Sequence, residues 1–259
     1  MDDLRMFLND RDRHRPLIRK LDALIDLEPP EVDCLAGLAQ TEQSWSRGDA
    51  LIETGQSYDE ILIIEAGWAI AYKLLADGRR QVLRILLPGD MVGLHFAVAD
   101  VAQASVEALT PLSTSRFPAQ NLMGIYHNLP RIGAVIAWTA AREEAILSEH
   151  LISVGRRNAI ERLAHLFLEL LRRLQLIDLA GQRTMALPVT QAVLADAMGL
   201  SIVHVSRTMR QLRQAGLVRM TDQLLEIQDL AGLQDVAGFE EEFLMQDGLP
   251  DKMVSRLRY

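Results

Sequence analysis

The chain of 259 residues contains a single cysteine, Cys34, and no apolar run that approaches the length needed to cross a bilayer. One cysteine cannot form a disulfide within the chain, and an iron–sulfur cluster usually needs about four thiolates. Redox sensing by Cys34 is one alternative, but a buried, unreactive thiol is the more common role of a single cysteine. The charged N-terminus, MDDLRMFLNDRDRHRPL, argues against a secretory signal. These features predict a cytoplasmic protein without a membrane partner.

The sequence also lacks the motifs of common enzyme classes. It has no nucleophile elbow, no glycine-rich phosphate loop, no HExxH and no paired run of metal ligands. Glu143 and Glu144 are adjacent, but neighbouring residues on a helix point in different directions and cannot share one proton-transfer site. We therefore expect no catalysis, no metal and no cofactor.

The net charge of −8 is unevenly distributed along the chain. Residues 156–219 contain ten arginines, no lysine and four acidic residues, so this segment carries +6 and the rest of the chain carries −14. An acidic body with a basic segment is typical of a regulatory protein whose basic part binds nucleic acid. Arginine suits that role because its guanidinium group makes bidentate contacts to phosphate and to guanine. A solvated basic helix face is the alternative explanation.

Residues 187–219, LPVTQAVLADAMGLSIVHVSRTMRQLRQAGLVR, have the pattern of a helix-turn-helix followed by the start of a winged sheet. Thr190 and Ser201 are good N-caps, and Gly199 suits the end of the first helix. The second helix has an apolar stripe of Val205, Met209 and Leu212 and an opposite face of Val203, His204, Ser206, Arg207 and Arg210. A short helix with a small, arginine-bearing face fits the major groove of DNA. A helical hairpin in an ordinary core is the alternative.

The first half of the chain has a different pattern. From about residue 38 to residue 118, short apolar runs alternate with turn signals roughly every 8–12 residues. The runs include Ile61–Ile64, Trp68–Leu74, Gln81–Leu87 and Val106–Leu109. This pattern predicts an antiparallel sandwich or jelly roll, preceded by a short helix over Glu31–Ala39.

Residues 119–176 have helical periodicity. A long helix is expected from about Pro130 to Ile152, after a short helical turn at Asn121–Tyr126. Near-heptad spacing predicts a dimer seam on this long helix at Ile132, Val135, Ile136, Thr139 and Ile146. Spacing alone does not show which face of the helix packs on the sandwich. Ser153-Val154-Gly155 is expected to interrupt the helix as a hinge, and Asn158 to cap the next helix, about 159–175.

The order of jelly roll, long helix, hinge and winged helix-turn-helix resembles the Crp–Fnr superfamily of bacterial transcription regulators. The resemblance rests on PGDMVG at 88–93, GRRNAIER at 155–162 and the segment 187–218, and it covers about residues 30–240. It implies an α+β fold. The expected parts are an N-terminal arm with a jelly-roll, cyclic-nucleotide-binding-like sensory domain (1–129), a dimerisation helix and hinge (130–154), a winged helix-turn-helix DNA-binding domain (155–240) and a C-terminal tail (241–259).

The resemblance also implies a function: sequence-specific transcription regulation by a homodimer on palindromic double-stranded DNA, with RNA polymerase as a further partner. Arg207 matches the family arginine that contacts a guanine, and Ser206 and Val203 match neighbouring base-reading positions. Residues Thr190, Ser201 and His204 match phosphate-facing positions, which set register. Several family members carry glutamate where Val203 stands, so we expect a different half-site at that position. An interaction protein that no longer reads DNA is the alternative.

The effector is less clear from the residues. Relatives that bind cyclic AMP carry a Gly-Glu pair for the ribose and an Arg-Ser pair for the cyclic phosphate. The corresponding pairs here are Gly93-Leu94 and Gln103-Ala104, so cyclic AMP is not expected to bind in that manner. The candidate effector pocket consists of Gly93, Leu94, His95, Gln103 and Ala104. A haem-based gas or redox sensor is an alternative, with axial ligand candidates His14, His95, His127 and His150. A hydrophobic effector or a filled pocket also remains open.

Overall fold

The structure, a computed structural model, describes residues 14–38, 41–245 and 248. The first 13 residues and most of the predicted tail therefore lie outside the described residues. By the density of its contacts the chain divides into two compact units. Unit 1 comprises residues 1–70, 86–141 and 246–259, and unit 2 comprises residues 71–85 and 142–245. The domain boundaries expected at 129/130, 154/155 and 240/241 remain predictions.

The first half of the chain forms the predicted antiparallel jelly roll. Its strands are β1 (Thr41–Trp45), β2 (Ala50–Ile52), β3 (Glu60–Ala66), β4 (Ala69–Leu74), β5 (Arg80–Leu86), β6 (Met91–Val92), β7 (Ser105–Ala108) and β8 (Leu112–Pro118). They form two four-stranded sheets, with the orders β1-β8-β3-β6 and β2-β7-β4-β5. The apolar runs predicted as strands all lie within or overlap these elements.

Strand β3 contributes β-branched side chains to the jelly-roll core. In β3, Ile61, Ile63 and Ile64 are all buried, and they pair in register with β8. Between β3 and β4, Gly67 has a φ of +86°, and a Cβ there would lie 2.3 Å from the Pro111 carbonyl oxygen. Only glycine fits this turn, because both the left-handed backbone and the close approach exclude a side chain.

Two helices precede the jelly roll, α1 (Pro16–Ile25) and α2 (Pro29–Leu38). The second agrees with the predicted short helix, whereas the first was not predicted. Lys20 of α1 donates to the Asp90 carboxylate at 2.7 Å, and both side chains are almost fully buried. A buried ion pair of this kind fixes geometry, since losing one partner leaves an uncompensated charge. It ties α1 to the Pro-Gly-Asp turn before β6.

The helices after the jelly roll are α3 (Asn121–Asn128) and the long α4 (Pro130–Arg156). The predicted interruption at Ser153-Val154-Gly155 is wrong, because α4 continues through these residues without a break. The break falls at Arg157 and Asn158. Asn158 caps the next helix as predicted, with its side chain accepting hydrogen bonds from the backbone of Ile160 and Glu161. The helix runs one turn further than expected because one glycine in a helix costs only about 1 kcal/mol.

The remainder of the chain forms a winged helical assembly within unit 2. Its elements are α5 (Ala159–Gln175), β9 (Thr184–Ala186), α6 (Gln191–Met198), α7 (Ile202–Gln214), β10 (Val218–Thr221), β11 (Leu224–Ile227), α8 (Leu230–Ala237) and a 3₁₀ turn (Glu241–Leu244). The sheet order is β10-β11-β9. Helix α5 is central, because it contacts α6, α7 and α8 and buries Leu163, Phe167 and Leu171.

Candidate nucleic-acid interface

Helix α6 begins and ends where the sequence predicts. The Thr190 hydroxyl accepts a hydrogen bond from the Val193 N–H at 3.3 Å. At the other end Gly199 adopts the left-handed conformation, with a φ of 63°, and its N–H bonds to the Ala195 carbonyl. Gly199 allows the sharp turn into α7, since a residue with a side chain adopts this conformation less readily.

Helix α7 is capped by Ser201, whose hydroxyl accepts from the His204 N–H at 3.2 Å. The buried face consists of Val205, Thr208, Met209 and Leu212. Thr208 satisfies its buried hydroxyl by donating to the His204 carbonyl at 2.9 Å. A hydroxyl that accepts as a cap still has a proton to donate, so Ser201, like Thr190, remains able to bind a phosphate oxygen.

The opposite face of α7 is open. Val203 is 79% exposed, and Arg207 and Arg210 are exposed, whereas Ser206 and His204 are half-buried. Residues 203, 207 and 210 share one helix face by their spacing. Within the described part of the chain, neither Arg207 nor Arg210 forms an ion pair. The structure thus brings the predicted recognition residues together on one surface, with two unpaired guanidinium groups beside an apolar side chain.

A β-hairpin follows α7 as a wing. Strands β10 and β11 pair in antiparallel register and turn at Asp222 and Gln223, which have φ values of 48° and 65°. Two successive left-handed residues are typical of the tight hairpin turn that matches strand twist. Arg219 of β10 is neutralised by Glu226 of β11, with Nε at 2.8 Å from the carboxylate. Arg219 is therefore less available to an anion than Arg207 and Arg210 of α7.

A charged network joins α4 to the helix-turn-helix. Arg157 donates to the Glu149 carboxylate at 2.9 Å and to the Ser153 hydroxyl at 2.8 Å, both on α4. Arg162 of α5 donates to the Arg157 carbonyl at 2.7 Å and to the Met198 carbonyl, the last of α6, at 2.7 Å. The sequence indicates only a basic charge for Arg162, because tertiary packing decides the contact between residues 162 and 198.

His165 of α5 lies beside this network. It is buried between the rings of Phe239 and Phe243, at 5.0 and 5.4 Å between centroids. Burial, followed by the charges of Arg157 and His150, lowers the pKa of His165 to about 3. The imidazole is therefore neutral at physiological pH.

The candidate effector residues do not form a binding site with charged groups. Gly93 is buried, Leu94 and Ala104 are half-buried, and His95 and Gln103 are exposed. A Cβ on Gly93 would lie 2.5 Å from the Phe96 ring, which is buried and stacks on Tyr58. The space next to Gly93 is thus occupied by the chain's own Phe96.

The four candidate haem ligands differ in their exposure to solvent. Among them His14, His95 and His127 are exposed and His150 is half-buried. The His95 ring packs on Phe96 with 4.3 Å between centroids, and this partial burial of the ring lowers the pKa of His95. No group of three or more histidine, cysteine, aspartate or glutamate side chains in the described residues could hold a metal ion.

Cys34 of α2 is half-exposed rather than buried, which corrects the expectation of a buried thiol. Partial burial nevertheless raises the pKa of its thiol. A raised pKa keeps the group protonated at neutral pH, and the protonated thiol is the less reactive form.

The predicted dimer seam is corrected by the structure. The five residues Ile132, Val135, Ile136, Thr139 and Ile146 are all buried within the single chain, so they cannot also face a partner. Their apolar periodicity serves the chain's own core. The large apolar residues of α4 that are exposed are instead Leu147, Leu151 and Ile152.

The chain matches two domain families in the order that the fold displays. Residues 42–128 match the cyclic nucleotide-binding domain, and residues 161–236 match the Crp-like helix-turn-helix domain. The nitrogen fixation regulation protein FixK of Rhizobium meliloti is 30% identical over 179 residues, which are 69% of this chain and 78% of FixK.

The chain belongs to the Crp–Fnr superfamily. The transcriptional activator protein FnrL of Cereibacter sphaeroides is 28% identical over 244 residues, 92% of each chain. The structure of FixK2 from Bradyrhizobium japonicum matches with a TM-score of 0.69 at 27% identity, covering 77% of this chain and 98% of FixK2.

The predicted superfamily and fold class are therefore confirmed. This protein is a Crp–Fnr-type transcription regulator with a helix-turn-helix DNA-binding domain, and its relatives are regulators rather than enzymes. In the described part of the chain, no helix is both long and apolar enough to cross a membrane.

Proposed function

We propose that this regulator binds a palindromic operator as a homodimer, with α7 in the major groove. The observation that carries the proposal is the open face of α7, where Arg207 and Arg210 lie beside the exposed Val203 and form no ion pair with any described residue. An arginine held by no carboxylate is free to make a bidentate contact with guanine, and such a contact is worth about 1–3 kcal/mol of discrimination. The caps Thr190 and Ser201, together with His204, would bind phosphates and set the register.

A second copy of the chain is the partner that α4 fits. Its exposed residues Ala137, Ala140, Leu147 and Leu151 follow one another at heptad spacing, with Glu144 between them. Small residues and leucines at this spacing let two helices approach closely. A symmetric pair of regulators would then place two recognition helices about one DNA turn apart, roughly 34 Å. Contact with RNA polymerase remains a prediction.

We propose that this regulator does not bind cyclic AMP in the manner in which its cyclic-AMP-binding relatives do. Leu94 stands where a carboxylate would bind the ribose, and Gln103 stands where an arginine would bind the phosphate. Phe96 fills the space beside Gly93. These three features favour a regulator that is active without a ligand, or one that responds to a ligand less polar than cyclic AMP.

The test is a selection of the purified full-length protein on random duplex DNA, followed by binding measurements on the enriched sequence. A two-fold palindrome is expected. Arg207→Ala should weaken binding to that palindrome by about 1–3 kcal/mol and relax preference at one base pair of each half-site, without changing the oligomeric state.

Arg79→Ala is the matched control, since Arg79 is an exposed arginine paired with Asp77 within its own hairpin turn. It should leave binding unchanged. Equal effects of the two substitutions, or no enriched palindrome from either purified protein or cell extract, would contradict the proposal. In that case the interaction-protein alternative would gain support.

A further inference from the structure

The last turn of α6 is held by side chains from outside the helix-turn-helix. The Asp196 carboxylate accepts a hydrogen bond from Arg80 Nε at 2.8 Å, and the Ala197 carbonyl accepts one from Gln81 Nε2 at 3.3 Å. Met198 is held by Arg162, as described above. We call Arg80, Gln81 and Arg162 the α6 clamp. It acts on three consecutive residues from two elements, β5 and α5.

The clamp contacts the C-terminal end of α6, where the backbone carbonyl groups can accept hydrogen bonds from side chains. The last carbonyl groups of a helix have no partner within the helix, and the partial negative charge at that end attracts cations. Here the Ala197 and Met198 carbonyls accept hydrogen bonds from side chains. Only three residues, 199–201, separate Met198 from α7. The orientation of this helix end therefore sets where the recognition helix begins.

Strand β5 is itself firmly attached to the helices of unit 2. Arg84 pairs with Glu143 of α4 at 2.6 Å, and the Ile85 carbonyl accepts from Arg173 of α5 at 2.9 Å. Arg80 also lies over the Tyr72 ring, at 5.2 Å from its centroid. The β4–β5 hairpin thus has polar contacts with α4, α5 and α6.

The Arg80–Asp196 pair has the burial expected of a pair that holds geometry. The side chains are 23% and 30% exposed, so neither is freely solvated. Fully exposed pairs contribute little because solvent screens them. A partly buried pair with a direct Nε–carboxylate hydrogen bond restricts orientation more strongly.

We propose that Arg80 and Gln81 are positioning residues for DNA recognition. By holding the end of α6 they set the placement of α7 relative to α4, and through it the half-site spacing that the dimer accepts. This inference rests on the proposed palindromic binding. It adds a specificity role for a hairpin that lies outside the helix-turn-helix.

The first test uses Arg80→Ala on duplexes whose two half-sites are separated by the preferred spacer or by one or two base pairs more or less. The wild-type protein should show a sharp optimum. The variant should lose roughly three- to tenfold at the optimum and much less at the other spacers, so that spacer preference flattens. Uniform weakening at all spacers would indicate a merely structural role and overturn the proposal.

Control variants distinguish the effect of the positive charge of Arg80 from the effect of its contact with Asp196. Arg79→Ala removes the neighbouring arginine, whose ion pair with Asp77 stays within the hairpin turn, and should leave the spacer profile unchanged. The double variant Arg80→Asp with Asp196→Arg reverses the pair and should restore the optimum. If Arg80→Ala does not fold, Asp196→Asn tests the same contact by removing its charge with little change of shape.

A second measurement does not depend on DNA. Amide hydrogen exchange of the free protein should be faster at the end of α6 in Arg80→Ala than in wild type or Arg79→Ala, at an unchanged melting temperature. If wild type has no spacer optimum, the proposed function fails, and the exchange comparison alone decides whether the clamp exists. A sharp optimum and slow exchange that both survive Arg80→Ala would refute the positioning role.

Discussion

At the scale of single residues, Val203 stands where several members of the superfamily carry glutamate. Its side chain is 79% exposed although apolar, and it lies on the same face of α7 as Arg207. A valine cannot accept a hydrogen bond from a cytosine amino group, as a glutamate does. It can contact the methyl group of thymine.

Replacing single thymines of the selected operator by uracil should therefore weaken binding at one position of each half-site. Uracil differs from thymine only by the methyl group, and burying such a group contributes about 0.8 kcal/mol, or about fourfold in affinity. Titration of each substituted duplex measures the effect. In Val203→Ala the difference should shrink, whereas an effect that persists undiminished would show that another side chain contacts the methyl group.

His165 provides a pH-dependent contribution to stability. Because its folded pKa of about 3 lies below the ordinary value of 6.5, protonation favours the unfolded chain. The contribution is fully present above pH 6.5 and is lost as pH falls towards 3. Glu149 lies 3.5 Å from the ring but is already paired with Arg157, so it offers little compensation.

The free energy of unfolding should thus decrease below pH 6.5 by up to roughly 1.4 kcal/mol per pH unit from this group. Denaturant titrations between pH 7 and pH 4 measure it. His165→Phe keeps an aromatic ring between Phe239 and Phe243 and should flatten the slope. An equal slope in this variant would assign the pH dependence to other groups.

At the scale of elements, the extent of α4 can be tested by replacing glycine with alanine at two positions of the helix. Gly155 is exposed, and a Cβ there would meet nothing within 4 Å, whereas a Cβ at Gly133 would lie 2.6 Å from the Tyr126 ring. Gly155→Ala should raise stability by about 1 kcal/mol, because alanine favours the helix. Gly133→Ala should lower it. Thermal unfolding of both variants gives the signs, and stabilisation by neither would mean that α4 ends before residue 155.

The predictability of the helices follows from how local their signals are. Thr190, Gly199 and Ser201 define the ends of α6 and α7 through contacts with residues at most four positions away. The helix α1 was not predicted although its own signals are local: Pro16 begins it, and the buried Leu17, Leu21 and Leu24 recur at helical spacing. The sequence does not show where α1 packs, because Lys20 reaches Asp90, 70 residues further along the chain.

At the scale of the whole molecule, the proposed dimer would assemble through the exposed residues of α4. Leu151 is 74% exposed, and a leucine so accessible on a long helix is suited to contact with a second copy. Leu151→Glu should shift the protein towards monomer and weaken operator binding, because two opposed carboxylates would lie at the seam. Sedimentation velocity measures the change.

Leu179→Glu is the matched control, since Leu179 is also exposed but lies in the loop after α5. It should remain dimeric. A dimer that tolerates Leu151→Glu would place the interface elsewhere.

What the sequence determined by itself were the jelly roll, the long helix, the helix-turn-helix and the face of α7 that carries Val203, Arg207 and Arg210. These follow from periodicity, turn residues and caps, which act over a few residues. Three further features depend on tertiary packing: Ile132 and its heptad neighbours are internal, Phe96 fills the space at Gly93, and Arg80 and Arg162 hold α6. The reason is physical: an apolar stripe or an arginine has many possible partners, and only packing selects one.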